Sequence, residues 1–420
     1  MMHRFVDREL WSNREFAAFV LANSVERFAA SALTIMLAFH VYDARKSAFD
    51  IALLGFAQVI PALAFALHGG EIADRVSRRR MVLLTISLLV AVCAGLVMVS
   101  VVDAWLVPSL LMAAFLSASV RAYQTPAAVG LEAQVLPLRL VLKGVPVIAT
   151  SARIADMVGP VVMGFVWAAW GPAATYGLLG LLFALCHLGF ARGIGEKPVP
   201  AHPADGPGPI ARITEGVRYV IGNQVLIGSM ALDLFAVFFG GAAALLPIFA
   251  TDILDVGPSG FGLLRMAIAA GALTAAIFSI RFMPRANAGL ALHMIIAGFG
   301  LSMIAFGLST SFLLSMALLF AAGICDGLSM VIRHAILRLA SPEEMRGRIA
   351  AVRMVFVSSS NELGAVQMGL SASLIGPTRA VVLGGILTLG VVAAVAASAP
   401  KLRRLDLATY GIAPRAVPAE

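Results

Sequence analysis

Gly69-Gly70-Glu71-Ile72-Ala73-Asp74-Arg75-Val76-Ser77-Arg78-Arg79-Arg80 joins two runs of about twenty apolar residues each, the length a helix needs to cross a hydrocarbon layer of roughly 30 Å. Asp74 and four arginines crowd a connection too short to fold by itself. Charge at this density between apolar runs marks a point where the chain surfaces from lipid and turns back. The flanking runs are expected to be two antiparallel membrane helices.

The rest of the chain repeats the pattern. Of its 420 residues 60% are hydrophobic and only 13% charged, with a mean hydropathy of +0.93. A water-soluble protein of this length could not cover itself with so little polar surface. Twelve spans are expected, near 17–41, 48–69, 81–102, 105–124, 145–169, 173–193, 226–250, 259–280, 288–308, 311–333, 350–374 and 378–399. The charged residues 1–15 run straight into the first span without the short apolar core and cleavage site of a secretory signal, so no cleaved presequence is expected. Cys93, Cys186 and Cys325 all fall inside spans without metal-ligand spacing, as packing residues would.

A net charge of +8 raises the question of a nucleic-acid partner, and the placement of the charge answers it. With the N-terminus inside, only Arg45, Lys46 and Arg379 fall in the outer loops, and most of the 31 Lys and Arg lie on the inner side. The positive-inside rule thus places both termini in the cytoplasm and explains the basicity without a polyanion.

The long polar segment 194–224, with Pro198, Pro200, Pro203, Pro207 and Pro209, divides the chain. The expected organisation is an N-terminal six-helix bundle over 1–193, a linker with a short interfacial helix near 210–221, a C-terminal six-helix bundle over 225–400 and a tail over 401–420. A weak repeat relates the halves. Gly159 and Gly164 recur as Gly364 and Gly369 at an offset of 205 residues, and Lys143 falls on Arg348.

Several motifs carry a family resemblance. Gly70, Ala73, Asp74, Arg75, Arg78 and Arg79 reproduce the pattern that joins the second and third helices in the major facilitator superfamily, with Ser77 where a glycine is frequent. Arg121-Ala122-Tyr123-Gln124-Thr125-Pro126 resembles that family's Arg-x-x-Gln-Gly element, and Ala155 to Gly164 its Gly-Pro element, common in exporters. Several segments are similar to the bacterial branch of enterobactin exporter-like and macrolide efflux-like proteins. The resemblance implies an all-α membrane fold of two six-helix bundles, with a cytoplasmic gating loop at Gly70, Asp74, Arg75, Arg78 and Arg79. It also implies gating partners at Arg346 and Arg348, where the eleventh helix starts. An acid near a helix N-terminus complements the helix dipole, which makes such a latch physically reasonable. Gly159, Pro160 and Gly164 would form a close-packing face.

Acids inside apolar spans are candidate sites, because a carboxyl held out of water can exchange a proton as its surroundings change. Proton-coupling candidates are Glu26, Arg121, Glu362, Asp156, Asp233 and Asp326. Arg121 costs ~2.5–3.5 kcal/mol at a helix centre and so should face a cavity or a carboxylate, or else snorkel from a nearby helix end. Glu26 leads, because the first helix lines the central path in this fold. Arg27 projects about 100° away from it around the helix and need not cancel it. Glu362 follows, in the polar run Ser358-Ser359-Ser360-Asn361-Glu362. Asp156 lies one turn from Arg153, which could neutralise it. Met36, Phe235, Phe238, Phe239 and Asn361 are substrate-path candidates, with packing as the alternative.

The seven histidines are scattered and no HExxH, GxSxG or phosphate-loop pattern occurs, so neither an enzyme nor an ATP-driven pump is expected, and no cofactor or metal. The leading expectation is a monomeric secondary transporter that exchanges a small, partly lipophilic molecule such as a drug or siderophore for protons. Its partners would be that small molecule, protons and membrane lipid. The alternatives are uptake or facilitated diffusion without protons, a non-transporting sensor, and an acyltransferase, which the absence of a clustered histidine site disfavours.

Overall fold

A computed structural model describes residues 8–102, 105–199, 209–282, 286–342 and 345–407. The described residues are overwhelmingly helical and contain no strand. The long helices are α1 Arg14–Arg45, α2 Ala48–Arg75, α3 Arg78–Val99 and α4 Leu106–Val135. Val141–Gly193 forms a continuous pair, α5 (141–170) and α6 (172–193). They are followed by α7 Gln224–Gly240, α8 Gly257–Phe282, α9 Ala288–Leu308, α10 Phe312–Ala340, α11 Arg346–Ile375 and α12 Pro377–Ser398. This is the twelve-helix membrane architecture expected from the sequence.

Local chemistry explains the breaks. Gly171 adopts φ +77° and ψ −175°, a conformation open almost only to glycine, and Pro172 then starts α6 where its missing N–H costs nothing. The seventh span was expected to run unbroken over 226–250. It instead stops at Gly240, continues as a 3-10 turn Ala242–Leu245, and ends in a π-helical turn Phe249–Ile253. Gly241 leaves helical dihedrals at ψ 50°, and Pro247 removes a donor from the next turn.

A second departure concerns α4, expected to end near residue 124. The helix passes through Pro126 to Val135, so Arg121 stands fifteen residues from its start and fourteen from its end rather than near a terminus. Proline at 126 deprives the Ala122 carbonyl of its helical donor. That carbonyl lies directly against Gly69 of α2, where any side chain would collide with it. The glycine beside the basic loop is therefore a packing residue, whereas Gly70 faces open space.

The chain divides into two compact units. Unit 1 comprises Met1–Asp205 together with Leu246–Met266, and unit 2 comprises Gly206–Leu245 with Ala267–Glu420. The sequence-based boundary in the linker did not anticipate that Leu246–Met266 packs with the first unit. Three contacts hold it there. Phe261 stacks on Phe39 with ring centroids 5.3 Å apart, the Tyr42 hydroxyl donates to Asp252, and α8 crosses α5 at glycines. A β-carbon on Gly164 would lie 2.7 Å from the Pro258 carbonyl, and one on Gly262 would lie 3.1 Å from that of Pro160.

Within unit 1, α1 packs chiefly on the α5–α6 pair, with Gly159 against the Phe28 backbone. Within unit 2, α7 packs on α11 and α12, with Gly364 placing its β-position 3.2 Å from the Val237 carbonyl. The repeat noticed in sequence thus corresponds to the same device in each half, a glycine of the fifth repeat helix receiving the first. Both first helices also start alike. Asn13 accepts from the backbone N–H groups of Glu15 and Phe16, and Asn223 from those of Val225 and Leu226.

The linker helix, Pro209–Gly222, lies along α11. Gly216 there allows backbone contact with Arg348, and a β-carbon would sit 2.8 Å from Val352.

Candidate functional site

In α1, Arg27, Ser31 and Thr34 are spaced i, i+4, i+7 and so form one stripe. Each meets a polar group on a neighbouring helix. Arg27 pairs with the Asp156 carboxylate of α5, the Ser31 hydroxyl donates to the Asp156 carbonyl at 2.8 Å, and Arg121 of α4 donates to Thr34 Oγ1 at 2.8 Å. The Arg27 and Asp156 side chains remain 49% and 32% exposed, so this stripe is accessible from outside the bundle core. The suggested neutralisation of Asp156 by Arg153 does not describe its contact, which runs between helices to Arg27.

Glu26 behaves differently. Its register turns it towards the face that also carries Ala22, Ala29 and Leu33, and it is 8% exposed. The Gln124 side chain reaches its carboxylate, and the nearest other charges are Arg27, Arg121 and Asp156. Gln124 is itself buried, with its Oε1 unpartnered. Glu26 therefore sits within the bundle, behind the stripe, rather than on a lining surface. Arg121 turns inward to α1 and does not snorkel, consistent with its mid-helix position.

Unit 2 contains a second cluster. Arg333 of α10 forms an ion pair with Asp233 of α7, and its Nη2 lies 3.8 Å from Asp326. Its Nε donates to the Ser329 carbonyl at 3.2 Å and its Nη2 to Ser329 Oγ at 3.0 Å. The group borders a cavity of about 20 Å³ lined also by Leu232, Ala236, Ile296 and Phe299, room for about one water. On the next residue of α10, Arg353 Nη1 donates to His334 Nε2 at 2.6 Å while His334 Nδ1 faces the Met330 carbonyl at 2.8 Å. A neutral Nδ1–H tautomer satisfies both contacts.

The basic loop is bound into its own unit. Arg78 donates to the Gly130 carbonyl at 3.1 Å. Arg79 donates to the Ile194 and Ala191 carbonyls at 2.8 and 2.7 Å, capping the C-terminus of α6, where a cation also complements the helix dipole. Arg75 pairs with Glu71, and Arg80 with Glu196 at 3.3 Å. The Asp74 and Arg346 side chains lie outside the described residues. Arg348 pairs with Glu215 of the linker helix, a partner that the sequence reading did not foresee.

Of the path candidates, Met36 is completely buried in unit 1, on a turn of α1 that packs in the core. Phe235 is exposed, and Phe239 lies between Phe235 and Phe238 with ring centroids at 6.0 and 4.9 Å. Asn361 is exposed and Glu362 half-buried on α11. Sequence reasoning gave no role to Arg265 or to the Tyr42–Asp252 contact. Both depend on residues far apart in the chain, and only the folding of Leu246–Met266 onto unit 1 brings them into view. A groove of about 940 Å³ along α3 and α4 is almost wholly apolar and holds none of the candidate charges, as suits a surface facing lipid.

The architecture is shared with solved transporters. A bacterial homologue of the human lysosomal transporter Spinster, in an inward-facing and unoccupied conformation, superposes with a TM-score of 0.69 at 17% identity, over 96% of this chain and 99% of that one. A POT family transporter in complex with 5-aminolevulinic acid gives 0.73 at 13% identity, over 93% and 97%. Among curated proteins, the enterobactin exporter EntS of Shigella flexneri is 24% identical over 247 residues, 57% of each chain, so that match spans little more than half of the relative. The EntS of Escherichia coli O139:H28 is 25% identical over 340 residues, 77% of each. Residues 11–415 match the model of the transmembrane secretion effectors, and with its twelve helices and basic loop the chain belongs to that family of major facilitator membrane transporters.

Proposed function

We propose that this chain is an inner-membrane exporter that exchanges a small, partly lipophilic molecule for protons by alternating access, with the end carrying Arg78 to Arg80 and both termini in the cytoplasm. The observation that carries the reading is the arrangement around α1 in unit 1, a buried Glu26 behind an accessible polar stripe of Arg27, Asp156, Thr34 and Arg121. Protonation of Glu26 removes a negative charge beside Arg121 and Arg27, and so changes what those cations can bind. A proton and a substrate can thereby influence one another through shared neighbours rather than a shared seat. The similarity to enterobactin exporters supports outward transport and puts siderophores among the first substrates to test.

Conformational change would engage the basic loop. In this reading Gly70, Asp74, Arg75, Arg78 and Arg79 serve as the gating loop and Arg346 and Arg348 as its partners, as the likeness to the superfamily suggests. A second reading has its own support. Asp156 and Asp233 are both ion-paired, as structural acids would be, which suits facilitated diffusion without protons. Everted membrane vesicles with an imposed proton gradient separate the two. Addition of siderophores, macrolides or lipophilic cations should dissipate the gradient for one class in wild type and not in Glu26→Gln. Movement of labelled substrate with the gradient undisturbed would reject proton exchange.

A further inference from the structure

The arginines of unit 1 outnumber its carboxylates where the polar stripe lies. Pro258, Phe261 and Gly262 define the face of α8 that meets α1 and α5, through Gly164, Phe39 and Pro160. Arg265 follows Phe261 and Gly262 by one turn on that face. The pairing of residue 258 with 164 and of 262 with 160 runs antiparallel, which sets Arg265 level with about residues 156–158 of α5. That is the depth of Asp156 and its partner Arg27.

Arg265 has no carboxylate partner among the described residues, and its Nε is buried without any acceptor. Arg121 has a neutral hydroxyl, Thr34, as its hydrogen-bonded partner. Arg27 and Arg265 thus share this depth with Asp156, which is already committed to Arg27, and Arg121 meets α1 one turn beyond Ser31, at Thr34, with Glu26 among its neighbouring charges. A cation held in the apolar layer without counter-charge, as Arg265 is, is expensive to keep, and a planar guanidinium is suited to a carboxylate or another oxyanion.

We propose that Arg265 and Arg121 form an anion-binding subsite, so that the transported molecule presents at least one anionic oxygen group, such as a carboxylate or a phenolate. The inference rests on the reading of this chain as an exporter. Outward movement of an anion is also favoured by a membrane potential negative inside, which acts in the same direction as export.

The test compares an acid with its neutral isostere. Full-length protein in lipid nanodiscs is equilibrated with labelled 1-naphthoate or 1-naphthamide, and saturable binding is measured by dialysis. Naphthoate should bind at least about tenfold more tightly than the amide. That preference should be lost in Arg265→Gln and in Arg121→Gln, while Arg265→Lys, which restores the charge without the fork, should recover part of it. Equal affinities, no saturable naphthoate binding, or a preference unchanged in Arg265→Gln would overturn the proposal. Recovery in Arg265→Lys shows that the glutamine variant lost charge rather than fold. Flux in everted vesicles keeps the two readings apart. Anion-selective binding without flux of either probe counts against export and leaves the subsite, whereas flux of both probes without preference does the reverse.

Discussion

Replacing Asp233 by asparagine strands Arg333. The guanidinium is 6% exposed and directs its Nη1 at Asp233, while its Nε and Nη2 are held by Ser329. Its remaining counter-charge would be Asp326 at 3.8 Å, a side chain 40% exposed and so partly screened. Breaking a buried ion pair by removing one partner costs about 3–5 kcal/mol, because the surviving charge stays buried. The retained Asp326 contact and a water in the cavity of about 20 Å³ offset part of that, so we expect about 3 kcal/mol, or roughly a hundredfold in the folded-to-unfolded ratio. Removing both charges in Asp233→Asn/Arg333→Gln leaves no uncompensated ion and should cost less than Asp233→Asn alone. Reversible unfolding of the four proteins in mixed micelles gives the double-mutant cycle. An Asp233→Asn protein within about 0.5 kcal/mol of wild type, or a double variant whose loss equals the sum of the singles, would show that the pair does not hold α7 to α10.

Other consequences are local. Arg79→Ala removes two bonds to the Ala191 and Ile194 carbonyls and should lower stability by about 1–2 kcal/mol, with faster proteolysis in the segment after residue 194. Gly159→Val places methyl groups where the Phe28 backbone lies and should cost about 1–3 kcal/mol, read as loss of monodisperse protein on size-exclusion chromatography; Gly159→Ala should be milder. Tyr42→Phe deletes the bond to Asp252, and hydrogen exchange should rise over 249–256 while the rest of unit 1 is unchanged. Arg348→Gln leaves Glu215 unpaired at an exposed site, so its effect on stability should stay under about 1 kcal/mol even if transport falls, a separation that flux and unfolding measured on the same sample would reveal.

How much the sequence disclosed depends on the range of each interaction. Span number, the basic loop and the linker helix follow from local composition, since lipid imposes a length and a polarity on every segment. The end of α4 was misjudged because Pro126 normally argues for a stop. The helix continues nonetheless, and the carbonyl that Pro126 frees lies against Gly69 on another helix, a contact that no local reading of residues 121–126 could include. The partner of Asp156 was sought at Arg153, one turn away, although the pairing that formed joins α5 to Arg27 on α1. Met36 was named as an apolar contact near the path, with packing as the alternative, and its complete burial depends on side chains from other segments that its own stretch of sequence does not disclose.

The two halves put an acid on the first helix of the repeat and an arginine on the fourth, Glu26 with Arg121 and Asp233 with Arg333. They use them differently. In unit 2 the two are ion-paired, and Ser329 holds the guanidinium in place. In unit 1 the arginine is turned to Thr34, and the acid is left beside the amide of Gln124. An acid locked to a buried arginine resists protonation as long as the pair persists, whereas an acid beside a neutral amide can gain or lose a proton without first breaking an ion pair. Under the proposed function, this asymmetry assigns proton exchange to Glu26 and leaves Asp233 to fix the bundle. Nothing in either helix alone distinguishes the two acids, both of which lie in apolar runs. The difference arises from whether a partner across the bundle meets them with charge.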